Sequence, residues 1–91
     1  MQSVKQLVVG VEGVRSSRFR ICGKTRKTIH YIEIKDQSEN LDIVSRVIDL
    51  VSAARDDLTY KSTRMSLEHG LTQIATVIFE SKEIEQLRLP L

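Results

Sequence analysis

Residues 15–35, RSSRFRICGKTRKTIHYIEIK, decide the fold. Basic and apolar residues alternate at positions 18–21, which is the period of a half-buried β-strand. Residues 23–27 form a short polar segment that begins with glycine, as a hairpin turn does. Residues 28–35 then continue with β-branched and aromatic residues, which favour strands. The sequence therefore predicts a β-hairpin.

The length of the turn sets the register of this hairpin. A four-residue loop pairs Cys22 with Lys27 and places Arg18 opposite Tyr31. One predicted face then carries Phe19, Ile21, Ile32 and Ile34. The other predicted face carries Arg18, Arg20, Ile29 and Tyr31. A slip of one residue would exchange the two faces, so this register is an expectation.

Basic residues are concentrated in the first third of the chain. Residues 1–35 hold eight basic and two acidic residues, a net charge of +6, whereas residues 36–91 hold six basic and ten acidic residues, a net charge of −4. No acidic residue lies between Glu12 and Glu33. That interval carries six basic residues: Arg15, Arg18, Arg20, Lys24, Arg26 and Lys27. Such an asymmetry indicates nucleic acid or another acidic partner. The alternative is a solvated hairpin whose charges prevent edge-to-edge aggregation.

Length and composition predict a single small α+β domain over residues 1–91. Apolar residues make up 41% of the chain and charged residues 29%, as in ordinary globular domains. The lone Cys22 cannot form an internal disulfide, and the chain shows no signal peptide, which together favour a cytoplasmic location. The apolar runs are only a few residues long, so we expect no association with a membrane.

Periodicity predicts the elements on either side of the hairpin. Residues 7–11, LVVGV, are apolar on both faces and predict a central strand. Polar cap residues at 36–40 precede a long helix that ends near Arg55. The core stripe of that helix consists of Val44, Val47, Ile48, Val51 and Ala54. Residues 58–67 predict a strand, and residues 68–70 predict a turn.

The C-terminal part of the chain is the most ambiguous. Residues 71–79 fit a helix by spacing, but their β-branched content and the preceding Gly70 favour a strand. Residues 81–87 predict a short C-terminal helix that begins with a serine cap. The order of strand, hairpin, long helix, hairpin and short helix predicts a two-layer α+β sandwich with an antiparallel sheet. The stripe of the long helix is wider than one small sheet covers, which predicts a homodimer.

No motif for catalysis, a metal or a cofactor withstands inspection. Residues 23–25, Gly-Lys-Thr, match the end of a phosphate-binding loop, but the earlier glycine and the following helix are missing. His30, His69 and Cys22 have no metal-ligand spacing. Residues 71–75 match the opening of a helix-turn-helix in composition but lack its turn glycine. The sequence thus predicts a protein that is not an enzyme and needs no cofactor or metal.

Two functions remain open from the sequence. The first is a small nucleic-acid-binding or regulatory module that uses the basic hairpin. Its predicted site consists of Arg15, Arg18, Arg20, Lys24, Arg26, Lys27 and Tyr31, with the basic residues on phosphates and the tyrosine available to stack on a base. The alternative is a dimeric protein–protein interaction or adaptor module with no nucleic-acid role. In that case the basic hairpin would only steer an acidic protein partner.

Overall fold

A computed structural model describes residues 2–35, 40–70 and 72–82, with only the backbone described for residues 40 and 41. Within these ranges, six elements follow one another: α1 (Val4–Val8), β1 (Val14–Ile21), β2 (Thr28–Lys35), α2 (Asn40–Ala54), β3 (Leu58–Glu68) and β4 (Thr72–Ser81). The predicted α+β class and the predicted antiparallel sheet are both confirmed.

The four strands form one sheet in the order β1-β2-β4-β3. Each of the three ladders is antiparallel. The chain leaves β2 through α2, builds the outer strand β3, and returns between them as β4. The central ladder therefore joins the two hairpins, from the pair Ile29 and Glu80 to the pair Lys35 and Ile74. Strands β1 and β3 are the two edges of the sheet.

The apolar core lies between one face of the sheet and the two helices. Its largest fully buried side chains are Phe79, Ile32, Ile34, Val4, Val8, Val47, Val51 and Val77. In the stripe predicted for the long helix, Val44, Val47 and Val51 are buried and Ile48 is half-buried, but Ala54 is exposed, so its predicted burial is wrong. We call this side of the sheet the helix side. The opposite side, which carries Arg18, Arg20, Tyr31, Glu33, Ser62, Arg64, Thr76 and Ile78 by the strand register, is called the open face.

The predicted central strand at residues 7–11 is wrong, because the chain begins with the short helix α1 instead. A capping box starts this helix: the Ser3 Oγ accepts from the Gln6 amide at 3.1 Å, and the Gln6 Oε1 accepts from the Ser3 amide at 3.0 Å. Val4 and Val8, four residues apart, are buried together, whereas Val9 is 77% exposed. The apolar run thus follows the helical period rather than the strand period.

Helix α1 affects the prediction of a homodimer, which depends on the width of the apolar stripe of α2. It packs against α2 and β1 and covers part of the stripe that the sheet does not reach. That ground for dimerisation is weakened, and the homodimer stays a prediction. The strand predicted at residues 71–79 is confirmed as β4 from Thr72 onward. The helix predicted at 81–87 is not tested beyond its first two residues, since Ser81 ends β4 and residues 83–87 lie outside the described part.

Candidate nucleic-acid interface

The β1–β2 hairpin has the register predicted from its turn. The Cys22 amide donates to the Lys27 carbonyl at 2.9 Å, and Arg18 lies opposite Tyr31. Because the register holds, Arg18, Arg20 and Tyr31 share the open face, while Phe19 shares the helix side with the core. Alternation along β1 therefore separates the basic side chains from the apolar ones.

Arg20 and Tyr31 form one unit on the open face. The Arg20 Nε donates to the Tyr31 hydroxyl at 2.8 Å, and the guanidinium carbon lies 5.8 Å from the centre of the tyrosine ring. The hydrogen bond to Tyr31 raises the pKa of Arg20 above its ordinary value. This contact orients the guanidinium and leaves its two terminal nitrogens for other acceptors. It also places the arginine beside the ring face that a base would use.

The other two arginines of β1 are engaged with carboxylates. The Arg18 Nη2 lies 3.1 Å from the Glu33 Oε1, and Arg15 forms a hydrogen-bonded ion pair with Glu68. The hydrogen bond from Arg15 holds the pKa of the Glu68 carboxyl below its usual range. Exposed ion pairs of this kind contribute little to stability, so a phosphate can compete for the arginines. Their carboxylates nevertheless reduce the positive potential at this part of the strand.

The turn between β1 and β2 carries the remaining basic residues of the predicted site. Lys24 and Arg26 are exposed, and Lys27 is half-buried. Arg26 has a φ of 60°, so the left-handed position of the turn is held by an arginine and not by Gly23. The Arg26 amide donates to the Cys22 carbonyl at 2.8 Å, which closes the turn. We call the segment from residue 23 to residue 27 the hairpin tip.

Arg15 does not join the hairpin tip. The pairing of β1 with β2 is irregular between Val14 and Ser16, so Arg15 lies in a bulge near the start of β1. It lies seven positions before Cys22, a distance of about 23 Å along a strand. The structure thus brings together Arg18, Arg20, Tyr31 and the hairpin tip and leaves Arg15 at the far end, paired with Glu68.

Sequence reasoning missed Arg64, which the strand order brings to the same face. Arg64 on β3 pairs with Thr76 on β4, and Thr76 pairs in turn with Glu33 on β2. Alternation within residues 58–67 shows only which residues of that strand share a face with Arg64. Only the order of the strands shows that this is also the face of Arg18.

Cys22 lies at the base of the hairpin tip and is half-buried. Hydrogen bonds from the Thr25 hydroxyl, and from the backbone amides of Thr25 and Lys24, lower the pKa of its thiol to about 7. The thiolate therefore predominates above about pH 7, and reactivity falls as the pH drops below that value.

We expect the rate of Cys22 alkylation by iodoacetamide to rise with pH around a midpoint near 7, well below the value of about 8.5 for a free thiol. The variant Thr25→Val removes the hydroxyl donor and should move the midpoint upward, measured as the alkylation rate by mass spectrometry. The variant Ser52→Ala, an exposed position on α2, serves as the control. A wild-type midpoint near that of a free thiol would contradict the hydrogen-bonded geometry.

Within residues 2–35, 40–70 and 72–82, no group of three or more histidine, cysteine or acidic side chains is arranged to hold a metal ion. Neither of the described helices has the length and apolar character that are needed to cross a bilayer. His30 instead packs near Phe19, with 6.0 Å between the ring centres.

Comparison of the chain with known protein families, with curated proteins and with solved structures found no match. Any function assigned to the site therefore depends on its own geometry and charge.

Proposed function

We propose that this protein is a small non-enzymatic nucleic-acid-binding module that uses the hairpin tip and the adjoining part of the open face. One observation supports the proposal above the others: the register places Arg18, Arg20 and Tyr31 on one face, next to the three basic residues of the hairpin tip. A chain of positive charge that follows one strand into a turn suits a phosphate backbone.

The hairpin tip supplies the contacts with phosphate in this proposal. Lys24, Arg26 and Lys27 lie on consecutive or nearly consecutive residues of a tight turn, so a single backbone segment of nucleic acid can reach all three. Arg20 extends the contact onto the sheet with its terminal nitrogens, because its Nε is already bound to Tyr31. Such contacts carry affinity without reading sequence.

Tyr31 has a smaller part than the sequence alone suggests. The side chain is half-buried, and Arg20 lies beside its ring. A base can stack there only if the arginine shifts or stacks with it. The proposed binding is therefore mainly electrostatic, with a modest preference for single strands.

The competing proposal is a dimeric adaptor for an acidic protein. Phe19 and Ile21 are exposed on the helix side of β1, where they line a groove of about 730 Å³ together with Lys5 and His30. In both proposals the protein acts in the cytoplasm and needs no cofactor. The two proposals differ in whether the intact protein binds nucleic acid at near-physiological salt.

The test is the salt dependence of binding to duplex and single-stranded oligonucleotides, measured by fluorescence anisotropy. Each phosphate contact on duplex DNA contributes a slope of about −0.9 in log K against log salt. Six contacts would give about −5, but the ion pairs of Arg15 and Arg18 compete with phosphate, so we expect a slope nearer to −4. Absence of binding tighter than about 10⁻⁴ M would refute the proposal and favour the adaptor.

A further inference from the structure

Strand β3 is an edge of the sheet that the described chain leaves uncovered. It is eleven residues long, and it pairs with β4 along one side only. The ladder is irregular between Tyr60 and Ser62, so the bulge and the exposed Lys61 protect the first part of the edge. From Ser62 to Glu68 the pairing is regular, and the outer edge of this segment is open to another strand.

The open segment is amphipathic in the way that suits a second strand. On the helix side, Met65 is 43% exposed and Leu67 is 65% exposed. On the open face, the segment carries Arg64 and Glu68 on either side of Ser66. A partner strand with the same features would bury the exposed apolar side chains. It would also pair with the two opposite charges, which lie four residues apart.

We propose that the segment from Arg64 to Glu68 pairs with the same segment of a second copy, antiparallel about a twofold axis at Ser66. A twofold axis perpendicular to the sheet puts the open faces of both copies on the same side. A residue that lies a given number of positions before the axis is then opposite the residue that lies the same number of positions after it in the second copy. With the axis at Ser66, Arg64 lies opposite Glu68 of the second copy on the open face. On the helix side, Met65 lies opposite Leu67 of the second copy.

This register is selected by charge. An axis at residue 64 would oppose two arginines, and an axis at residue 68 would oppose two glutamates, which is destabilising for directly opposite pairs. An axis at residue 65 places Arg64 and Glu68 opposite serines, and an axis at residue 67 places Arg64 opposite Gly70 and Glu68 opposite Ser66. Only the axis at Ser66 matches the charges, and the twofold symmetry makes the matched pair twice.

The ionic state of the two side chains fits the pairing. Arg64 forms no ion pair within residues 2–35, 40–70 and 72–82. Glu68 already accepts from Arg15, which lowers the pKa of its carboxyl and keeps it ionised. A carboxylate has about four acceptor positions, so Glu68 can accept Arg64 of the second copy while it retains Arg15.

The other edge of the sheet disfavours the same association. On β1, the exposed Phe19 and Ile21 alternate with Arg18 and Arg20, so twofold registers centred on residues 18, 19 or 20 oppose arginine to arginine. Pairing through β3 thus ends at a dimer of two four-stranded sheets. It leaves the β1 edges and both hairpin tips at the outside, and it is independent of whether they bind nucleic acid.

Complementary charge variants test the pairing. Arg64→Glu places glutamates opposite each other and Glu68→Arg places arginines opposite each other, so each variant alone should dimerise about tenfold more weakly than the wild type. A mixture of the two variants restores both matched pairs, and sedimentation should show a heterodimer. The exposed helix variant Arg46→Glu, with the same change of charge, should dimerise as the wild type does. Circular dichroism checks that each variant is folded.

A crosslink tests the position of the axis. In a Cys22→Ser background, Ser66→Cys should form an intermolecular disulfide with oxidised glutathione as oxidant, because a residue on the axis lies within about 5.5 Å of its copy. Ser62→Cys is the control on the same strand and face, and it should stay reduced, since its own copy lies about 27 Å away.

Three results would overturn the proposal. The first is a wild-type protein that stays monomeric at a concentration of about 1 mM, which is above the dissociation constant of a specific dimer. The second is two charge variants that dimerise as the wild type does and gain nothing on mixing. The third is the formation of oligomers larger than a dimer by the wild type but not by Arg18→Glu. That result would show that β1 of one copy pairs with β3 of the next.

Discussion

Replacing Phe79 with alanine should lower the free energy of unfolding by about 3–5 kcal/mol, the range for deleting a buried aromatic ring. Phe79 has no exposed surface, and its ring lies 5.8 Å from that of Tyr60 in an edge-to-face arrangement. A small domain has roughly 5 kcal/mol of stability in total, so this variant should be close to unfolded. Urea denaturation followed by far-ultraviolet circular dichroism measures the loss.

Phe19 provides a matched control for this prediction. It lies on the same side of the sheet as Phe79, but it is 69% exposed at the edge strand. Phe19→Ala should change the free energy of unfolding by no more than about 0.5 kcal/mol. If Phe79→Ala does not fold, Phe79→Leu should still show a measurable loss of about 1–2 kcal/mol. Equal effects of the two alanine variants would mean that β4 is placed with the wrong face inward.

Removing the three charges of the hairpin tip should have the largest effect on nucleic-acid binding. The variant Lys24→Ala/Arg26→Ala/Lys27→Ala removes three contacts of about 0.9 in slope, so the salt dependence should become shallower by roughly 3 units. Because this electrostatic contribution vanishes near 1 M salt, the affinity at 0.1 M should fall by roughly 500-fold. The loss should be similar for all sequences, since phosphate contacts do not read bases.

A second triple variant controls for net charge. Lys35, Arg46 and Lys61 are exposed at the far end of β2, on α2 and in the bulge of β3, and their replacement by alanine removes the same charge. Binding should weaken only slightly, because distant charges are screened within about 10 Å at 0.1 M salt. Equal losses in the two triple variants would show that overall charge, and not the hairpin tip, governs association.

Local patterns in the sequence suffice to predict the hairpin and the long helix. The four-residue loop fixes the pairs of β1 with β2, and the spacing of Val44, Val47 and Val51 identifies the buried stripe of α2. In both cases the relevant interactions join residues that are close along the chain. The predicted and observed elements agree there within a few residues.

The N-terminal helix was not predicted because its apolar residues fit two structures. The run from residue 7 to residue 11 satisfies a buried strand by composition, and α1 is too short to show a helical period clearly. The deciding signal lies before the run, where Ser3 and Gln6 have the spacing of a capping box. Reading the cap before the apolar run would have predicted the helix.

The candidate site could be predicted in its residues but not in its ionic partners. The hairpin tip follows from the turn, and the shared face of Arg18 and Tyr31 follows from the register. The pair of Arg15 with Glu68 joins residues 53 positions apart. It depends on a bulge and on the strand order, and neither of these leaves a local pattern in the sequence.

The central ladder between β2 and β4 has a consequence for how the chain folds. Its pairs join residues from 39 to 51 positions apart, while both hairpins close through short turns. Closing the longer loop costs more entropy and slows folding, so the hairpins should form before they dock on each other. Until they dock, β2 and β4 both present unpaired inner edges to solvent. Aggregation during refolding should therefore begin at these two strands, which are protected in the native sheet.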